Sequence, residues 1–338
     1  MAQKKLPLCV DLDGTLIRTD VVQESLVLLL KEKPWVLFLL VFWLLKGRAY
    51  LKKRLAEFVT LNIPSLPVNQ EFFHYLKQQK AQHPLYLVTA SDIKPSTMIA
   101  AHFKIFDDVI ASDGIINLRS ENKAKALQER FGSKGFIYAG NSRHDLPVWA
   151  AAAEALAVNT PHGVLEKLKT LNIKTTVFDP HKDFWRLLLK TFHFREWAFN
   201  LLIFVPFFLQ AHSHDLGLFL LGYLALTALV TELDILKDLL TLEESRKNSI
   251  HQQTPLAKGD LLIATGIRTF LGLFLIHSFL LISLPVLFSF VQVLYGLIFT
   301  LHALYLKQNL WSKSLGVILL WGIRLCAGYA LLSGFLFE

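Results

Sequence analysis

Past residue 198 the chain is dominated by Leu, Phe, Ile and Ala, and that half can hardly be anything but membrane helix. Apolar runs fill residues 216–230, 261–280, 284–304 and 315–335. About twenty apolar residues cross the hydrocarbon of a bilayer as helix, and in lipid a single segment must satisfy its own backbone hydrogen bonds. With a shorter run at 200–210, extended by the segment before it, the expectation is about five spans. The polar stretch 231–260 carries most of the charge in this half, including Arg246, Lys247 and Lys258. Positive residues between spans favour the cytosolic side. Lys307 and Lys313 join them if an even number of spans intervenes.

Residues 1–180 read differently. Apolar strands at 6–10, 85–89, 107–110, 135–139 and 155–158 alternate with helical stretches at 95–103 and 121–131. Core strands without strict alternation, separated by helices, predict a Rossmann-like α/β domain whose parallel sheet is covered on both faces. The overall class is thus α/β plus an all-α membrane part, 1–180 and 181–338. A largely helical insertion, about 19–83, separates the first two strands as a cap. Within it lies Pro34–Leu45, PWVLFLLVFWLL, with lysines and arginines on both sides. Twelve residues are too few to cross a bilayer at ~1.5 Å each. The segment is either a buried cap helix or, the favoured reading, a helix lying in the membrane interface.

The formal charge of +8 suits anionic lipid, and no base-stacking platform or basic recognition helix argues for nucleic acid. Cys9 and Cys326 read as two buried small hydrophobes rather than a disulfide. No signal-peptide core precedes the first strand, so the front domain is expected in the cytoplasm.

Chemistry gathers at the strand ends, where open α/β sheets place their reactive groups. Val10-Asp11-Leu12-Asp13-Gly14-Thr15 leaves the first strand with two carboxylates on one side of the chain and a glycine for the turn. Phosphoryl transfer needs a nucleophile, neutralised oxygens and an acid for the leaving group. Asp11 is the candidate nucleophile and Asp13 the acid, then base. Thr89 offers a hydroxyl and Lys123 a cation. Asp145 would complete an oxygen-rich Mg²⁺ site with Asp11 and the Asp13 carbonyl. The phosphate-binding set is expected to be Asp11, Gly14, Thr89, Ala90 and Lys123, with His144 lining the entrance. His212, His214 and His251 have no ligand-like grouping and read as loop residues.

In this order, Asp11-x-Asp13-Gly14-Thr15, Thr89, Lys123 and Gly140-Asn141-Ser142-Arg143-His144-Asp145 resemble the four motifs of the haloacid dehalogenase-like hydrolases. The resemblance covers roughly residues 1–165. It implies an aspartyl-phosphate mechanism, Mg²⁺ dependence and the helical cap. Asn141 stands where those proteins most often carry Asp, which keeps an oxygen ligand and removes a charge.

The second half resembles the beginning of the UbiA-family intramembrane prenyltransferases, and the whole chain resembles fusions of the two families. The residues that carry this are the 197–212 region and Thr254-Pro255-Leu256-Ala257-Lys258-Gly259. The UbiA metal loop, Asn-Asp-x-x-Asp-x-x-x-Asp-Arg, would fall with Lys237 at its asparagine, Asp238 and Thr241 at its first two aspartates, Ser245 at the third and Arg246 after it. Glu243 and Glu244 are wrongly spaced to substitute. Two metal-holding carboxylates are missing, so the resemblance implies a truncated, degenerate bundle serving as an anchor or lipid groove.

The resulting expectation is a Mg²⁺-dependent phosphomonoesterase at the cytosolic face of a bacterial inner membrane. Its substrate would be a lipid or polyprenyl-linked phosphate. The alternatives are residual prenyl or phosphoribosyl-lipid transfer in the membrane half, and a non-catalytic membrane scaffold or effector.

Overall fold

The computed structural model describes residues 5–178, 183–209, 216–249, 253–304 and 310–332. The chain forms two compact units. One comprises Met1–Asp183 with Arg246–His251 and Ala257–Ile263; the other comprises Phe184–Ser245, Gln252–Leu256 and Ala264–Glu338.

The first unit is built on six parallel strands: β1 (Leu8–Val10), β2 (Leu85–Asp92), β3 (Asp108–Ser112), β4 (Ile137–Gly140), β5 (Glu154–Val158) and β6 (Lys174–Phe178). Their order across the sheet is β3-β2-β1-β4-β5-β6. The central strands lack a polar face because both faces are buried. Leu8, Val10, Leu87, Ala139 and Leu156 enter one core, while Cys9, Val88, Tyr138, Ala155 and Ala157 enter the other. β6 was not anticipated: Lys174, Thr175 and Thr176 are exposed at the sheet edge and give no apolar signal.

Between β1 and β2 come α1 (Val21–Glu32), α2 (Leu37–Leu45), α3 (Arg48–Phe58) and α4 (Gln70–Gln79). Helix α1 starts where Asp20 caps it, accepting from the Gln23 N–H at 3.0 Å. Helices α1–α3 share a small core of Leu29, Val36, Trp43, Leu55 and Val59. Helix α4 instead puts Phe72 and Leu76 into the sheet core. The remaining helices are α5 (Ile93–Phe103), α6 (Glu121–Phe131), α7 (Leu146–Ala151) and α8 (His162–Lys169).

The second unit contains the short helices α9 (Phe184–Lys190), α10 (Arg195–Asn200) and α11 (Val205–Leu209), then α12 (Leu216–Leu240), α13 (Leu242–Lys247, whose last two residues belong to the first unit), α14 (Ile263–Leu281), α15 (Val286–Leu304) and α16 (Leu310–Leu332). Among the described residues four helices are long and apolar enough to cross a membrane: α12, α14, α15 and α16. Four lies within one of the expected five, and the segment that does not form a long helix is the first. Residues 195–209 form two short helices joined by a 3₁₀ turn, and Pro206 lacks the N–H that one continuous helix would need.

The 231–260 stretch is corrected too. Its first ten residues continue α12, because Leu233, Ile235, Leu239 and Leu240 keep apolar helical spacing among the polar residues. Asp234 and Asp238, on this continuation of the helix, are 3% and 4% exposed. Cys9 is buried as expected, but Cys326 is exposed on α16.

Candidate active site

Strand β1 ends at Val10, and the Asp11 N–H still donates to the Ala139 carbonyl at 2.9 Å. That bond fixes Asp11 at the carboxyl edge of the sheet, in the middle of the strand order. Gly14 turns the chain there with φ +76°. A side chain at Gly14 would put its Cβ 2.0 Å from the Asn141 amide nitrogen, so β1's turn and the turn after β4 interlock only around glycine.

Lys123, near the start of α6, gathers the site. Its ammonium donates to Asp11 Oδ1 at 2.7 Å and to the Tyr138 hydroxyl at 2.9 Å, and lies 3.9 Å from Asp145 Oδ1. The Tyr138 hydroxyl in turn donates to Asp145 Oδ1 at 2.8 Å. The other oxygen of Asp145 accepts from the Asn141 and Ser142 N–H groups at 3.1 and 2.9 Å and from Ser142 Oγ at 3.0 Å. This capping box at Ser142 pins the loop after β4.

Asp13 is held from the other side. Val21 N–H donates to its Oδ1 at 2.8 Å, and Ser91 Oγ to its Oδ2 at 2.7 Å. Thr89 is fully buried; its hydroxyl accepts from Ser91 N–H and lies 3.5 Å from Asp13 Oδ2. From the cap, Lys52 reaches the Ala90 carbonyl at 2.6 Å and Asn117 Oδ1 at 2.9 Å. Gly14 and Ala90 are therefore at the site, with the Gly14 N–H already given to the Thr19 carbonyl and the Ala90 carbonyl taken by Lys52.

Electrostatics separate the two central carboxylates. Burial pushes Asp11 up to about 6 against the opposing pull of Lys123. Burial, then the charges of Asp20 and Asp11, push Asp13 up to about 7. Burial works to lower Lys123, yet Asp11 and Asp145 outweigh it and raise the ammonium. Lys52 is lowered by its burial despite Asp13 and Asp20. His144 is lowered by burial and then by Arg119 and Arg143.

The structure thus brings together Asp11, Asp13, Gly14, Thr89, Ala90, Lys123, Asn141 and Asp145. Sequence reading missed Ser91, Tyr138, Lys52 and Asp20. Ser91 and Tyr138 had a faint signal, as polar residues in the strands that carry Thr89 and Gly140; Lys52 had none beyond its basic neighbours.

A divalent cation fits the charge here. Four carboxylates, Asp11, Asp13, Asp20 and Asp145, face two ammonium groups, Lys123 and Lys52, an excess of two negative charges when all are ionised. The donors are sparse: among the described residues no three His, Cys, Asp or Glu side chains converge as a metal cluster. Asp11, the Asp13 carbonyl and Asn141 would be the oxygen donors, with Asp145 behind them and heavily hydrogen-bonded.

The residues of the expected prenyltransferase-type loop do not form one cluster. Asp238 Oδ2 lies 3.1 Å from His193 Nε2, and the Thr241 hydroxyl donates to the Lys237 carbonyl. Ser245 Oγ meets the Thr254 N–H at 3.5 Å. Arg246 turns away to Glu24, at 2.6 and 3.2 Å. His212, His214 and His251 lie outside the described residues.

No known protein-family profile matches the chain. It is similar to an uncharacterized protein, y4nM, of Sinorhizobium fredii, with 33% identity over 299 residues, covering 83% of this chain and 57% of that protein. The chain therefore spans little more than half the length of this relative. Similar solved structures include a protein of unknown function from Bordetella pertussis (18% identity, 52% of this chain and 99% of that one, TM-score 0.42). Others are a HAD family hydrolase from Salmonella enterica serovar Typhi (14%, 52% and 69%, 0.38) and a phosphoserine phosphatase carrying a phospho-aspartyl intermediate analogue (14%, 55% and 98%, 0.38). None of these likenesses assigns a role to a residue of this chain.

Proposed function

We propose that this protein is a phosphomonoesterase that works through an aspartyl-phosphate and acts on a phosphate carried by a membrane amphiphile. One observation carries the reading. A buried lysine holds Asp11 at the sheet edge beside Asp145, while Asp13, two residues on, is pushed up to about 7. A nucleophile and an acid of unequal proton affinity are what the two halves of the reaction require.

With Oδ1 held by Lys123, Asp11 attacks phosphorus through Oδ2. The bond from phosphorus to the alcohol oxygen breaks, and Asp13 gives that oxygen its proton. Asp13, now a carboxylate, takes a proton from water as the water oxygen attacks the same phosphorus. The bond to Asp11 breaks and inorganic phosphate leaves. Lys123 neutralises charge throughout, and Ser91 keeps Asp13 aimed. When bound by Asp11, the Asp13 carbonyl and Asn141, Mg²⁺ would supply further neutralisation of the phosphoryl oxygens.

A lipid-borne substrate is supported by the cap. On and just before α2, Trp35, Phe38, Val41, Phe42 and Leu45 are exposed, with Phe38 and Leu45 80% exposed. Lys31, Lys33, Lys46 and Arg48 flank them. An apolar face edged by cations suits an anionic membrane surface. By the positive-inside tendency, Arg246, Lys247 and Lys258 favour a cytosolic position for the segment between α12 and α14. The test is phosphate release by detergent-purified full chain from matched lipid and soluble phosphate esters with Mg²⁺. Release that depends on Asp11 and favours the lipid esters is expected. Equal phosphate release by wild type and D11N on every ester would overturn the enzyme reading.

A further inference from the structure

A cleft in the other unit can be read independently of the phosphatase proposal. Helices α10, α12, α15 and α16 line an open cleft of about 360 Å³, within the size range of small-ligand sites. Its wall mixes aromatic rings, Trp321 and Phe299 among them, with Arg195, Asp234, Lys237 and Arg324. Ionisable groups on membrane-spanning helices are costly to bury, and their presence marks a functional site by default.

The charges here are mostly paired. Lys237 pairs with Asp234, and Arg324 lies 3.5 Å from Glu196 while donating to Asn200 Oδ1 at 3.0 Å. Arg195 is exposed at the rim and enters no ion pair among the described residues, so the cleft carries one cation in excess. Asp234 is 3% exposed, and its Oδ2 has no hydrogen-bond partner. A buried carboxylate oxygen left unpaired is expensive, so this one calls for a donor from whatever fills the cleft.

The geometry points to a lipid-binding site for an amphiphile whose head bears one phosphate charge and at least one hydroxyl, read by side chains without a metal. The phosphate would balance Arg195 and approach Lys237. A headgroup hydroxyl would donate to Asp234 Oδ2. The aromatic walls would take the first carbons of the chain.

The experiment is calorimetric titration of detergent-purified full chain with short-chain phosphatidylglycerol, and with phosphatidylcholine as the uncharged-overall control without a hydroxyl donor. Saturable one-to-one binding, at least ~10-fold tighter for phosphatidylglycerol, is expected. R195Q, at an exposed position that leaves folding intact, and K237M should each weaken it by ~10-fold. D11N should bind as wild type does, so failure here is separable from failure of the phosphatase reading. Phosphatidic acid, which has no headgroup alcohol, should bind more weakly than phosphatidylglycerol, and tighter binding would overturn the hydroxyl contact with Asp234. Equal binding of phosphatidylcholine, non-saturating uptake, or full affinity in both R195Q and K237M would overturn the site. So would competition by free glycerol phosphate as strong as that of the lipid, or an Asp234 satisfied only by water.

Discussion

Asp11 and Asp13 stand two residues apart but are held by unlike donors, an ammonium for the first and a hydroxyl and a backbone N–H for the second. Replacing Asp11 by Asn should lower phosphate release by at least ~10³-fold, measured by single-turnover phosphate release. Ser91 lowers the proton affinity of Asp13. Ser91→Ala should therefore raise it, and the alkaline limb of kcat/KM should move up by about half a unit. The same two carboxyls set a stability window in metal-free protein. Both are raised by burial, to about 6 and about 7, so the folded state binds more protons than the unfolded one above the ordinary value of 3.8. Stability should be highest at the acid end and fall as pH rises through 6 and 7. Thermal midpoints in EDTA would show this fall, and Mg²⁺ at pH 8 should reverse it. That Asp11, Asp13, Lys123 and Asp145 come together was legible in the sequence because each follows a strand or opens a helix at the carboxyl edge of the sheet. Ser91, Tyr138 and Lys52 were not, because each acts through a neighbour that only the sheet register or the cap brings near.

At the scale of the element, the turn after β1 depends on Gly14. Gly14→Ala would force φ +76° on a residue with a Cβ and drive that atom into Asn141. A loss of ~1–3 kcal/mol is expected from the backbone alone, together with weaker Mg²⁺ binding, read by thermal shift with and without the ion. Helix α2 tests the cap's contact with lipid. Phe38→Glu with Phe42→Glu should reduce release from lipid phosphates by at least ~10-fold and leave soluble esters unaffected, since burial of two phenylalanines would be lost. Apolar strands and α6 were readable directly, the latter to its last residue. The end of α12 was not. Thr231, Glu232 and Asp234 look like a loop in the sequence, yet Thr231 donates to the Thr227 carbonyl and Trp197 donates to Thr231, so the threonine finds its partners without breaking the helix.

Across the whole molecule, the first unit is not a continuous stretch of chain. Arg246 and Ala257–Ile263 belong to it although α12 precedes them. Arg246 meets the buried Glu24, whose Oε1 also accepts from the Thr19 hydroxyl at 2.7 Å. Gly259 sits so close to the Arg18 carbonyl that a Cβ there would come within 2.5 Å of it. Removing the arginine strands a buried carboxylate. Arg246→Ala should cost the first unit ~3–5 kcal/mol, and Glu24→Gln in the same chain should restore part of it, measured by the temperature at which phosphate release is lost.

The return of residues 246–263 also bears on how the protein is made. A ribosome that has just finished Asp183 has not yet produced Arg246 or Gly259, and must first deliver α12 to the membrane. At ~5–20 residues per second, the half-built first unit waits on the order of ten seconds for its last pieces. During that interval Glu24 has no guanidinium to meet, and the nascent domain is exposed to chaperones and proteases while its first span is already being inserted.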